Sequence, residues 1–208
     1  MFNLIFSRKV KLGKYKKFCT PSTYKTIKGV KNFYSKIASS YDALHRDEQE
    51  KKYSLALAML GNKKLEGNIL DAGCGTGLFE EFFKPGRSNL TFFGVDVSDV
   101  VLRKFKDKLK NRSFNVFLVC GDLHNLPFKD GIFDYCLMFT VLQNLPKPVL
   151  ALEEVKRTLK NCAYIIVTGL KEKYTTKKLQ KILLKAGFKG KIVNNLTVNE
   201  YIAIGKLE

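Results

Sequence analysis

The stretch Ile69-Leu70-Asp71-Ala72-Gly73-Cys74-Gly75-Thr76-Gly77-Leu78-Phe79 constrains this chain more than any other. Ile69 and Leu70 read as a buried strand, the glycines as a tight turn, and Leu78-Phe79 as the first turn of a helix. Glycines at alternate positions let the backbone turn and approach a ligand with no Cβ in the way. A loop opening onto a helix N-terminus offers free N–H groups and the positive end of a dipole, so the stretch is expected to cradle an anionic part of a cofactor. Two familiar nucleotide fingerprints do not fit. A dinucleotide site needs G-x-G-x-x-G, and Leu78 stands where its third glycine should be. The phosphate loop G-x-x-x-x-G-K-[S/T] is absent.

The rest of the chain alternates strand-like and helix-like segments. Helices are expected over about Asn32 to Leu60. Leu90 to Asp96 is a β-rich run ending in an acid, at the carboxyl edge where open parallel sheets bind ligands. Such an acid can accept from both hydroxyls of a ribose. A basic helix, Asp99 to Asn111, precedes a third strand over 114–120, which ends in Gly121-Asp122-Leu123. A fourth strand, Tyr135 to Phe139, runs into Thr140-Val141-Leu142-Gln143-Asn144-Leu145. A helix over Pro148–Leu159, a strand over Ala163–Thr168 and a helix over Thr175–Ala186 follow. The chain then carries two strand-like runs, Gly190–Leu196 and Glu200–Gly205, whose short connection predicts an antiparallel pair.

Asp71-Ala72-Gly73-Cys74-Gly75-Thr76-Gly77 resembles motif I of the class I S-adenosylmethionine-dependent methyltransferases, and the L-P-F…D-x-F-D run at 126–134 resembles the type 11 members. The resemblance covers about Asn32 to Leu207. It implies an α/β, Rossmann-like class I methyltransferase fold: a seven-stranded, mostly parallel sheet of order 3-2-1-4-5-7-6, the last strand antiparallel, with helices on both faces. It implies S-adenosyl-L-methionine as cofactor, with Asp71, Gly73, Cys74, Gly75 and Gly77 in the binding loop. By the same resemblance Asp96 holds the ribose, Val97 packs on adenine, Asp122 accepts from the adenine amino group and the Leu123 N–H donates to the ring. Tyr41 or Tyr53, from an N-terminal helical cap, is expected to close over the cofactor. Phe139, Gln143 and Asn144 are candidates for the acceptor pocket, Phe139 being shared with the cofactor. His124 is a candidate base. Methylases of exocyclic amines carry N-P-P-Y or D-P-P-Y where this chain has Phe139-Thr140-Val141-Leu142, which argues against those subclasses. Methyl transfer from a sulfonium is an in-line displacement with an activated leaving group, so alignment and exclusion of water matter most. A base is required only where the acceptor holds a proton of high pKa. No metal constellation is visible.

Composition bounds the partners. At 208 residues the chain fits one domain, divided here into a basic extension (1–31) and a methyltransferase domain with its cap (32–208). The net charge is +18. Residues 1–41 hold Arg8, Lys9, Lys11, Lys14, Lys16, Lys17, Lys25, Lys28, Lys31 and Lys36 but no acid, with Tyr15, Phe18, Tyr24, Phe33 and Tyr34 interleaved. Such an arm can neutralise phosphates and stack on bases, so RNA is the first expected substrate. A small, quinone-like molecule is the alternative, and a non-catalytic cofactor-binding scaffold a third. Strand 114–120 is too apolar for a bare sheet edge, which predicts a partner subunit or self-association there. No apolar run is long enough to cross a membrane. An odd number of cysteines (Cys19, Cys74, Cys120, Cys136, Cys162) without C-x-x-C suggests no disulfide frame and fits the cytoplasm.

Overall fold

The computed structural model describes residue 5 and residues 24–83, 89–109 and 115–207. Most of the basic arm therefore lies outside the described residues. Helix α1 (Tyr24–Ile37) runs through the expected boundary at 31–32. It is followed by α2 (Tyr41–Met59), β1 (Gly67–Ala72), a short α3 (Leu78–Phe82), β2 (Leu90–Asp96), α4 (Asp99–Lys108) and β3 (Asn115–Cys120). Then come β4 (Phe133–Met138), a 3₁₀ turn over Leu142–Asn144, α5 (Pro148–Thr158), β5 (Leu159–Leu170), α6 (Thr176–Lys185), β6 (Phe188–Val193) and β7 (Glu200–Leu207).

The strands form one sheet of order β3-β2-β1-β4-β5-β7-β6. Its first five strands are mutually parallel, and β7 runs antiparallel to both β5 and β6. This is the order expected from the resemblance. The period of two along each strand divides the core between two faces. Leu70, Phe93 and Met138 point to the face covered by Leu152 and Val155 of α5 and Leu179 of α6. Ile69, Phe92 and Leu137 point to the face covered by Tyr53 of α2 and Phe79 of α3. Local chemistry sets the helix starts. Pro148 opens α5, where its missing N–H costs nothing. The Ser98 and Thr175 hydroxyls cap α4 and α6 by accepting from Val101 N and Lys178 N. β5 begins four residues earlier than expected and carries Cys162 at φ +62°.

β3 ends the sheet, as expected, but the chain uses much of its apolarity internally. Phe117 stacks on Phe93 with centroids 5.2 Å apart, and Leu118 packs beside Cys74, Leu102 and Phe105. No described helix is long and apolar enough to cross a membrane. Among the described residues no group of three His, Cys, Asp or Glu could hold a metal ion.

Strand order reverses around β1, whose neighbours are β2 and β4. In open sheets that reversal opens a crevice at the carboxyl ends of the strands. The glycine loop, Asp96, Asp122 and the segment after β4 all leave the sheet at this crevice.

Candidate active site

The crevice holds about 1060 Å³ of empty space, its open mouth included. Its floor is the loop after β1. Gly73, Gly75 and Gly77 have φ of +87°, +55° and +75°, the left-handed region that favours glycine. Their surroundings differ. A Cβ on Gly73 would meet Val141 at 2.3 Å and one on Gly77 the Phe105 ring at 2.2 Å, whereas one on Gly75 would meet nothing within 4 Å. Gly75 thus faces open space, and its bare backbone leaves room for a ligand.

Four of the loop's N–H groups are bonded within the protein. Gly73 N and Cys74 N donate to Val95 O, Gly77 N to Cys74 O, and Gly75 N to the Asp96 carboxylate at 3.1 Å. These N–H groups already serve the protein. What the loop presents is carboxylate. Asp96, at the end of β2, also accepts from Ser98 N at 2.8 Å. Burial pushes its carboxyl up to about 6, against the opposing pull of the Ser98, Gly75 and Val97 N–H groups. Asp71 is buried, which raises it to about 7; a hydrogen bond with Glu80 opposes that rise and the charge of Asp96 adds to it. Asp122, 3% exposed, accepts from the backbone N–H of His124. A site lined by Asp71, Asp96 and Asp122 suits a ligand that carries hydroxyls and positive charge.

Thr76 ties this floor to the cap. Its hydroxyl donates to Asp42 of α2 at 2.5 Å, Asp42 pairs with Lys108 of α4, and Lys108 pairs with Glu81 of α3 at 3.0 Å. Arg46 adds a second bond from α2 to Glu81. Helix α1 closes the other side. Ser35 and Ser98 share a hydrogen bond, Lys31 pairs with Asp99 at 2.6 Å, and Ile27, Val30 and Tyr34 line the crevice.

Beyond β1, toward β4, β5 and β7, the wall is neutral and polar around a buried ion pair. Lys52 and Glu200, each 2% exposed, meet at 2.9 Å. Thr140 sits on this pair. Its hydroxyl lies 2.9 Å from both Lys52 Nζ and Glu200 Oε1 and accepts from Gln49 Nε2 at 3.0 Å. Thr140 has φ +61°, costly for a β-branched residue, and the hydroxyl bonds together with a bond from its N–H to Thr168 Oγ1 hold it there. Gln49 Nε2 also donates to the Tyr41 hydroxyl, and Asn144 Nδ2 donates to the Tyr34 hydroxyl and to Thr140 O. Burial raises the Tyr34, Tyr41 and Tyr53 hydroxyls above their ordinary value, so all three stay protonated.

Residues 70–167 match the family model described as a methyltransferase domain. That match spans just under half of the chain, and the sheet order is the one expected from the resemblance to class I S-adenosylmethionine-dependent methyltransferases. The demethylmenaquinone methyltransferase of Staphylococcus haemolyticus is 33% identical to it over 141 residues, 66% of this chain and 59% of that relative. The chain thus spans under two thirds of that relative's length. A methyltransferase structure from Aquifex aeolicus superposes with a TM-score of 0.70 at 21% identity, covering 84% of this chain and 98% of that one. A complex of the Haloferax volcanii Trm112 methyltransferase activator with a methyltransferase gives 0.69 at 16% identity, covering 83% and 96%. At such identities these two likenesses concern the fold.

The cofactor that the resemblance implies, S-adenosylmethionine, suits the crevice. Asp96 can receive ribose hydroxyls, Gly75 leaves backbone room, and the acidic floor suits a sulfonium. Of the residues expected from the sequence, Tyr41, Asp71, Gly73, Cys74, Gly75, Asp96, Val97, Asp122, Leu123, Phe139 and Asn144 line the crevice, as does Tyr53. Gly77, Gln143 and His124 do not line it. Gly77 serves packing against Phe105. Gln143 presents its backbone carbonyl to Lys173 at 3.2 Å. His124 places Nδ1 2.7 Å from Asp122 and Nε2 3.2 Å from Lys147 O. Cys74 is buried beside Phe105, and burial pushes its thiol up. Sequence reasoning missed Gln49, Lys52, Thr140 and Glu200. The one signal for Lys52 was an i,i+4 spacing to Glu48, which names a different partner.

Proposed function

We propose that this methyltransferase moves a methyl group from S-adenosylmethionine to a small, neutral acceptor held between α1, α2 and segment 139–146. The observation that carries this reading is the wall beyond β1, where Tyr34, Tyr41, Gln49, Phe139 and Asn144 face the crevice and none carries charge. The cofactor supplies a methyl already activated on a sulfonium. Asp96 would hold its ribose, Asp122 and Leu123 its adenine, and Asp71 would stand beneath its positive end. Cap helices α1 and α2 keep water from the reacting atoms, and Phe139, stacked on Phe79 at 5.5 Å, fixes the pocket side. His124 has no part as a base in this scheme. The resemblance to a demethylmenaquinone methyltransferase supports a small acceptor.

RNA is the second reading, favoured by the net charge of +18 and the acid-free first 41 residues. Association at β3 belongs with either, supported by the neighbouring fold seen with an activator. The deciding experiment incubates the protein with methyl-labelled S-adenosylmethionine and extract from cells lacking the gene. Label in the organic-soluble fraction supports the small acceptor. Label lost to RNase refutes it and moves the acceptor to RNA, with the basic arm as the docking element.

A further inference from the structure

Among the described residues five large apolar side chains are exposed, and four of them stand at the end of the molecule where the crevice opens. Phe33, 57% exposed, makes an edge contact with Tyr34, which lines the crevice. Leu44, 69% exposed, lies in the first turn of α2 beside Tyr41, another lining residue. Leu150, 49% exposed, is in the first turn of α5, just after Pro146 at the crevice. Leu196, 92% exposed, is in the β6–β7 connection. That connection lies at the carboxyl end of β5, since Leu170 pairs with Glu200 and Lys171 N donates to Asn199 O at 3.0 Å. Asn199 N in turn donates to Glu48 at 3.3 Å, one helical turn from Leu44. The fifth, Leu184, is at the far end, in the last turn of α6. Single exposed leucines need no explanation, but four of five gathered at one end do.

Positive charge frames the same end. Lys36, Lys147 and Lys173 are exposed there, against exposed Asp47 and Glu172. The acid-free residues 1–23 that precede α1 add Arg8, Lys9, Lys11, Lys14, Lys16 and Lys17. We infer that this end of the protein docks on an anionic lipid bilayer, with Phe33, Leu44, Leu150 and Leu196 entering the interface and the basic residues among the headgroups. Lysines alone would serve RNA equally well. The leucines decide for lipid, because an aliphatic side chain gains little from a phosphate backbone but gains by leaving water for the acyl boundary. Each lysine held near an anionic surface adds about fivefold to binding. The face lies on the bilayer and does not span it. The docking stands whether or not the crevice transfers methyl groups. On the methyltransferase reading, it presents the crevice mouth to molecules dissolved in the bilayer.

The test is co-sedimentation of the full chain with vesicles of phosphatidylcholine alone and of phosphatidylcholine mixed with phosphatidylglycerol, at physiological ionic strength. The protein should bind the mixed vesicles, leave the neutral ones largely in solution, and come off as salt is raised. Leu44→Ser/Leu196→Ser should lower the partition coefficient by about tenfold or more, while the melting temperature stays put because both side chains are exposed. Leu184→Ser, the same change at the far end, should stay within about twofold of wild type. Binding to neither vesicle overturns the inference with no variant needed. So does undiminished binding by the double variant, or an equal loss from Leu184→Ser. Binding to single-stranded RNA with none to vesicles also overturns it and gives the lysines to RNA. Calorimetry with S-adenosylhomocysteine, without vesicles, tests the methyltransferase reading separately.

Discussion

Replacing Asp96 with Asn tests the cofactor half of the crevice through two observables at once. The Asp96 oxygens accept from Gly75 N and Ser98 N, and they are the acceptors available to a ribose at the end of β2. Hydroxyls donate, so they favour the carboxylate over the acid. With the group at about 6, roughly one eleventh is ionised at pH 5 and ten elevenths at pH 7. Calorimetric affinity for S-adenosylhomocysteine should therefore tighten about tenfold from pH 5 to 7 and level off above. Asn removes the charge and turns an NH₂ toward one of the two backbone donors. Loss of charged hydrogen bonds costs about 1.5–3 kcal/mol, or roughly 10- to 150-fold in Kd at pH 7. The slope below pH 6 should vanish with it; any slope that persists belongs to Asp71, which titrates about one pH unit higher. Stability of the ligand-free protein carries the opposite sign to a salt-bridged carboxylate. The folded value lies above the unfolded 3.8, so stability falls as pH rises from about 4 through 6, and Asp96→Asn should flatten that fall. A variant binding within threefold of wild type, or a wild-type Kd flat from pH 5 to 7, would refute the ribose assignment.

Two further substitutions probe the frame. Lys52→Met leaves Glu200 buried without its cation and should cost about 3–5 kcal/mol in chemical denaturation, with Lys52→Met/Glu200→Leu recovering most of it; a single variant as stable as wild type would mean that the pair is solvated. Gly75→Ala and Gly77→Ala should part company. The first meets open space and pays only for its φ, about 1–2 kcal/mol and a Tm drop of a few degrees, yet loses at least tenfold in S-adenosylhomocysteine affinity. The second drives a methyl into Phe105, adding overpacking of about 1–3 kcal/mol to the same φ cost. Equal melting temperatures for the two would contradict the contrast drawn between these glycines.

Most strands were legible because their signals are local, whereas the sheet order came from the family resemblance. Alternating apolar runs mark strands, and Asp71 to Gly77 is a continuous string. What failed depended on distant partners. In the glycine loop the Gly73, Cys74 and Gly75 N–H groups look free when read locally, but their acceptors, Val95 O and the Asp96 carboxylate, lie about 20 residues away at the end of β2. The contact of His124 Nε2 with Lys147 O joins residues 23 apart and has no local signal in the sequence. Lys52 stands in the run Glu48-Gln49-Glu50-Lys51-Lys52, which reads as a solvated helix face. Only the antiparallel β7 brings Glu200, 148 residues later, beneath it.

Charge and site point in opposite directions, and distance decides between them. A net +18 would repel a cationic cofactor if the field of the whole surface reached the crevice. At physiological salt that field decays over about 8 Å, whereas charges in a recessed site act with far less screening. The crevice accordingly answers to Asp71, Asp96 and Asp122, and the lysines to whatever approaches from outside. A small acceptor entering past Tyr34 and Tyr41 would touch uncharged side chains, with the charges of Asp96 and Glu200 acting on Tyr34 from nearby. A polyanion docking outside would meet the lysines first, and its binding would weaken steeply with salt while cofactor affinity barely moved. The basic surface and the neutral inner wall are therefore separable features, and the identity of the acceptor turns on the wall.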